Sequence, residues 1–164
     1  MLNPKVQDAL NKQINAEFFS SYLYLSMSAY FEAEELKGLA HWIRVQAEEE
    51  RKHAMKIFDF VNDRGGRVTL GQIEAPKTQW KSPLEAFEDA YKHEQKITGM
   101  IGDLMNLMAV EKDGAGHDFL EWFCREQVEE EAQVQLIVAQ LKLVGDNGVG
   151  LYMIDQELGK RGGK

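Results

Sequence analysis

Hydrophobic positions recur at the three- and four-residue spacing of a buried helix face in four long segments of the chain. The first seam runs Leu10, Ile14, Glu17, Ser21, Tyr24, Ser28, Phe31, and the second Leu36, Leu39, Ile43, Ala47, Glu50, His53, Ala54, Ile57, Val61. The third runs Leu84, Phe87, Tyr91, Glu94, Thr98, Ile101, Met105, Met108, and the fourth Phe119, Phe123, Gln127, Glu130, Val134, Ile137, Leu141. Each seam carries its strong polar interruption near the middle, and the interruptions are metal-ligand residue types. A buried carboxylate without a partner is expensive. Four helices aiming carboxylates at one core therefore need a cation there. No Lys or Arg lies on the four seams near the cluster, so an internal salt bridge does not supply it.

The breaks between seams predict five helices and one long connection. Asn3-Pro4 reads as a cap and first helical position. Residues 34–38 and 111–114 are short turns, and Ser82-Pro83-Leu84-Glu85 is a capping box that starts the third helix. Between them, Arg64 to Ser82 lacks a helical period. Gly145 to Gly150 ends the fourth helix. A short fifth follows with Leu151, Ile154 and Leu158 on one face, and the tail from Gly159 to Lys164 is expected to be mobile.

In an antiparallel helix pair, residues equidistant from the turn lie side by side. Glu17 and Glu50 are centred on the first turn, and Glu94 and Glu130 on the last. The middle connection reaches about 60 Å if extended, whereas a helix the length of the second is about 40 Å long. It can run the length of the bundle and make the second and third helices parallel, which brings all four acids to one level. The expected fold is all-α: a four-helix bundle with one long crossover and a short C-terminal fifth helix, as a single domain over 1–164.

Composition narrows the partners. The chain of 164 residues has a net charge of −8, which disfavours a nucleic-acid surface and favours cations. Its apolar runs fall far short of a membrane span. The segment MLNPKVQDAL shows no signal-peptide core, and the one cysteine, Cys124, suits a reducing cytoplasm. Oxygen ligands with one imidazole suit iron or manganese. A bridging carboxylate between two divalent ions removes the repulsion among the acids. The site reads as dinuclear, with Glu50 between the ions, Glu17 and His53 on one, and Glu94 and Glu130 on the other. Glu50-x-x-His53 alone is a weak signal; the joint pattern over four helices is the stronger one.

Several stretches resemble the ferritins, most closely the haem-free ferritins of bacteria and archaea. They are Asn15-Ala16-Glu17 with Tyr24, Glu48 to Ala54, Arg64-Gly65-Gly66-Arg67, Tyr91-Lys92-His93-Glu94, Phe119-Leu120-Glu121-Trp122, Glu126 to Glu130, and Leu151-Tyr152. The resemblance implies a shell of 24 copies that oxidises ferrous iron with oxygen or hydrogen peroxide and stores ferric mineral. It implies Glu17, Glu50 and His53 at one iron position and Glu50, Glu94 and Glu130 at the next, with Gln127 near bound oxygen. Tyr24 and Trp122 would stand by as electron donors. Glu49, Glu126 and Glu129, with Glu130, would hold a third iron, and Asp118 and Glu121 would line a three-fold entry channel. The alternative for these last two is an acidic helix start favoured by the helix dipole.

Departures from related patterns matter too. Bacterioferritins would place their haem-binding Met at Lys52, so haem is not expected. Lys52 and Met55 replace the inward acids of animal catalytic ferritins. Di-iron hydroxylases and peroxidases of this fold carry two Glu-x-x-His pairs, whereas the second pair here is Gln127-x-x-Glu130. A non-storing di-iron peroxidase or oxygen scavenger is the alternative reading.

Overall fold

The computed structural model describes residues 1–163; Lys164, the last residue of the expected mobile tail, lies outside the described residues. Five helices follow in order: α1 (Pro4–Ala33), α2 (Lys37–Asp63), α3 (Pro83–Val110), α4 (Gly114–Val144) and α5 (Gly148–Leu158). The caps explain the boundaries. Asn3, Ser82, Asp113 and Asn147 each accept a backbone N–H of the first turn through their side chains. Glu35 (φ 59°), Gly65 (φ 70°) and Lys112 (φ 55°) turn left-handed just past α1, α2 and α3. There Leu36, Gly66 and Asp113 donate back to Phe31, Val61 and Met108, closing each end.

α4 starts earlier than its seam. It begins at Gly114, so Asp118 and Glu121 lie beyond its first turn, where the helix dipole has faded. Glu121 instead faces Arg125 at 3.6 Å on an exposed surface.

α1 and α2 pack antiparallel, as do α3 and α4. The contacts of Phe31 with Phe87 and of Tyr24 with Glu94 set α1 antiparallel to α3, which leaves α2 and α3 parallel. The crossover of residues 64–82 makes this possible. A polar ladder on the outer face of α1 holds it: Gln7 accepts from the Arg67 N–H, Asn11 brackets Arg67 and Thr69, Asn15 donates to the Gln72 carbonyl, and Ser26 to that of Lys77.

The core is two apolar clusters. One joins Phe31, Leu39, Trp42, Phe87, Ile137 and Ile154 at the α5 end. The other joins Val6, Leu10, Ile57, Ile101, Met108 and Phe123 at the opposite end. The polar interruptions of the four seams lie between them.

α2 has no side-chain cap of its own at Leu36. α5 provides one from a distance: Asp155 Oδ1 accepts the N–H groups of Gly38 (2.8 Å) and Leu39 (2.9 Å). The residues after α5 depart from the expectation of a mobile tail. The Arg161 side chain is bonded to α2 at three points and stacks over Trp42, its Cζ 4.2 Å from the ring centre.

Candidate metal centre

Four helices deliver the polar layer. α1 contributes Glu17 and Tyr24, α2 Gln46, Glu50 and His53, α3 Glu94, and α4 Gln127 and Glu130, all buried. Ligand atoms of Glu17, Glu50 and His53 lie within 4.8 Å of one another, and so do those of Glu50, Glu94 and Glu130. The two triads share Glu50. A third triad, His53, Glu126 and Glu130, overlaps both and leads outward through the half-buried Glu126. It opens on a cleft of about 590 Å³ lined by Glu49, Lys52, His53, Lys56, Trp122 and Glu126.

Hydrogen bonds and ring contacts orient the side chains of the layer. His53 Nδ1 is 3.2 Å from Glu50 Oε2, and its Nε2 is 3.8 Å from Glu130 Oε1. The imidazole is wedged edge-on against Trp122 and Phe123, with ring centres 5.4 and 5.9 Å away. Tyr24 donates to Glu94 Oε1. Gln127 Nε2 reaches Glu94 Oε2 at 3.1 Å and Thr98 Oγ1 at 3.2 Å.

Two buried glutamines absent from the sequence reading complete the cage. Gln13 donates to Glu17 Oε1 (2.8 Å), and Gln46 to both Glu50 Oε1 (2.9 Å) and Glu130 Oε1 (3.0 Å). Each lies four residues before a glutamate of the triads, the spacing at which helix side chains meet. That Gln-x-x-x-Glu repeat was the available signal.

Glu49 and Glu129 belong to none of the three triads. Glu129 is exposed and accepts from Gln133 at 2.9 Å. Glu49 is buried, and its Oε2 accepts from Arg161 at 3.0 Å. A salt-bridge cation therefore does reach one of the expected ligands, but from the C-terminal tail. Nothing in the spacing of the seams signals it.

The layer holds more acid than its hydrogen bonds can satisfy. Glu17 Oε2, Glu49 Oε1 and Glu130 Oε2 are buried with no partner, and a native interior tolerates few such atoms. Oxygen-rich triads with one imidazole and orphaned carboxylate oxygens fit divalent iron. Burial first, then the charges of Glu94 and Glu17, push the Glu50 carboxyl well above its ordinary value. Burial, then Glu50 and Glu94, do the same to Glu130. Burial raises Glu17 against the pull of His53, and it raises Glu94 to about 6 against hydrogen bonds from Tyr24 and Gln127. Burial and Glu94 also hold the Tyr24 phenol well above its usual range, so it stays a donor.

These shifts have a sign. The folded chain binds more protons than the unfolded one, so the contribution of these carboxyls is fully present below pH 4.5 and is lost as pH rises through their folded values, near 6 for Glu94. The metal-free melting temperature should fall between pH 4.5 and 7, and saturating Zn(II) should abolish the fall, because ions displace the protons. Calorimetry across that range decides it. A metal-free midpoint that climbed with pH would mean the four acids are ionised and paired.

The sequence of the chain matches the ferritin-like domain family over residues 7–144. It is 46% identical over 161 residues to a bacterial non-heme ferritin of Bacteroides fragilis, covering 98% of this chain and all of that one. A bacterial non-heme ferritin of Staphylococcus saprophyticus is 42% identical, with 98% and 96% covered. Among solved structures, an engineered closed form of the Archaeoglobus fulgidus ferritin superposes with a TM-score of 0.99 at 49% identity, both chains fully covered. The open-pore ferritin of the same hyperthermophilic archaeon gives 0.97 at 50% identity, with 98% of each covered.

Proposed function

Because this chain belongs to the ferritin family, we propose that it stores iron by oxidising ferrous ions at the buried carboxylate layer and holding the ferric product inside a shell of 24 copies. The observation that carries this reading is the sharing of Glu50 by two buried triads, with carboxylate oxygens left over on Glu17 and Glu130. Ferrous iron is the substrate. Glu17 and His53 hold one ion, Glu94 and Glu130 the other, and Glu50 bridges them. Each ion gives up one electron. Dioxygen accepts the pair with two protons and leaves as hydrogen peroxide, or hydrogen peroxide accepts the pair with two protons and leaves as two waters.

The surrounding residues set the geometry. Tyr24 keeps its proton and fixes Glu94. Gln13 and Gln46 hold Glu17, Glu50 and Glu130 by one oxygen each, which leaves Glu17 Oε2 and Glu130 Oε2 for metal and Glu50 Oε2 beside His53 Nδ1. Gln127, bonded to Glu94 and Thr98, faces the same space and orients the oxidant. The third iron position takes Glu126 and Glu130, with Glu49 and Glu129 at its margin, and the cleft beside Trp122 is the outward path. The place of action is the cytoplasm.

The test is direct. Assembled protein should have a mass near 24 × 18.7 kDa. Its fast oxidation phase should saturate at two ferrous ions per chain, and later iron should stay with the shell. A stable dimer that turns over peroxide and retains no iron would replace storage with the scavenger reading.

A further inference from the structure

The guanidinium of Arg161 is hydrogen-bonded to the acids around the centre, and it arrives from outside the bundle. Its Nη1 donates to the Trp42 carbonyl (3.1 Å), and its Nη2 to Gln46 Oε1 (2.9 Å) and Glu49 Oε2 (3.0 Å). Trp42, Gln46 and Glu49 lie at i, i+4 and i+7 on α2, so the side chain lies along a single stripe of that helix. The Arg161 carbonyl faces His41 Nε2 at 2.7 Å, which ties down the backbone as well. The ion pair is largely sheltered from water, with side chains 13% and 7% exposed. Glu49 therefore offers one oxygen to Arg161, while its buried Oε1 remains without a partner.

We propose that Arg161 is a tethered cation occupying the Glu49 arm of the third iron position, so that a third ion binds only in competition with the C-terminal tail. This rests on the third-site reading above. A guanidinium keeps its charge in proteins and cannot yield by deprotonation. A dication at Glu49, Glu126 and Glu130 would meet that charge at short range, where like charges are poorly screened. For Glu49 to reach the third ion, the tail must undock. The link to the inner acids is equally short. Arg161 fixes the oxygen of the Gln46 amide, and the amide nitrogen in turn bonds Glu50 and Glu130. Departure of the tail is thus felt one residue away from the two inner ions.

Calorimetric titration of the assembled, metal-free full chain with Zn(II), a redox-silent dication, tests this. In Arg161→Gln the third ion should bind at least tenfold tighter than in the parent, with the first two within about twofold. Arg161→Lys, which keeps the charge, should bind it as the parent does. In the unmodified protein, amide hydrogen exchange at Lys160 and Arg161 should speed up as zinc goes from two to three equivalents, which needs no variant to fold. A third ion that is lost in Glu126→Gln but binds equally or more weakly in Arg161→Gln would overturn the proposal and leave the third site standing. So would tail exchange indifferent to the third equivalent. Two ions only in every form, or a third untouched by Glu126→Gln, would remove the third-site reading and the proposal with it.

Discussion

Glu50→Ala is expected to slow ferrous oxidation by more than about 100-fold, beyond the range typical of changes outside the ligand shell, while the metal-free chain still folds and assembles. Glu50 is the residue the two buried triads share, so its loss removes a ligand from both positions at once. Zinc titration should show both inner ions weakened. The fold survives because the same change relieves the layer of its most crowded carboxyl, one lifted by burial and by Glu94 and Glu17. Glu50→Gln separates charge from volume: it refills the space but should oxidise iron as poorly as the Ala variant. In both variants the fall of metal-free stability with rising pH should flatten, since one raised carboxyl is gone. Stopped-flow oxidation at two ferrous ions per chain provides the measurement. Parent-like rates in either variant would end the dinuclear assignment.

Gly38→Ala should destabilise the protein by roughly 2–4 kcal/mol, the scale of overpacking combined with the loss of a helix cap. A Cβ at Gly38 would stand 1.6 Å from the Asp155 carbonyl oxygen and 2.5 Å from its carbon, both backbone atoms that cannot swing aside. α5 has to move. With it go the two bonds from Asp155 that cap α2, together with the burial of Ile154. Thermal unfolding should shift down, and exchange protection should vanish first in α5. Asp155→Ala, which removes the cap without a clash, should cost about 1 kcal/mol. A Gly38→Ala protein melting with the parent would mean that α5 is not seated on the start of α2.

The bundle was legible because its period is written in large apolar residues, and its register because the acids are symmetric about the turns. Glu17 and Glu50 meet across the first turn by chain arithmetic alone, and Glu94 and Glu130 across the last. The crossover's length and lack of period allow α2 and α3 to run parallel, and the Phe31–Phe87 and Tyr24–Glu94 contacts show that they do. What escaped was set by contacts across long chain separations. Arg161 sits in a tail of Gly and Lys whose composition resembles a frayed end, yet Trp42 and Glu49 hold it. Asp155 looks like one more polar residue on a short helix until α2 is seen to start without a cap. The ladder of Gln7, Asn11, Asn15 and Ser26 is spread over the outer face of α1, where polar residues carry no signal of a partner. Gln13 and Gln46 could have been found, being buried amides at helical spacing from the acids they serve.

The division of the apolar interior into two clusters with an acidic layer between them bears on how the molecule comes apart. Each half has its own aromatic anchor: Phe31 and Phe87 stack at one end, Phe60 and Phe119 at the other. Helix backbones run through the waist, but the packing of oily side chains does not. Without ions, the waist is fastened by a few amide–carboxylate bonds between acids that repel one another. Ions held by the two triads would join four helices at one level. Under the proposed function, cooperativity of unfolding would then depend on loading, and stability would follow the free concentration of the metal by mass action. If the protein stores iron as proposed, a cell short of iron would hold a softer molecule than a cell with iron to spare.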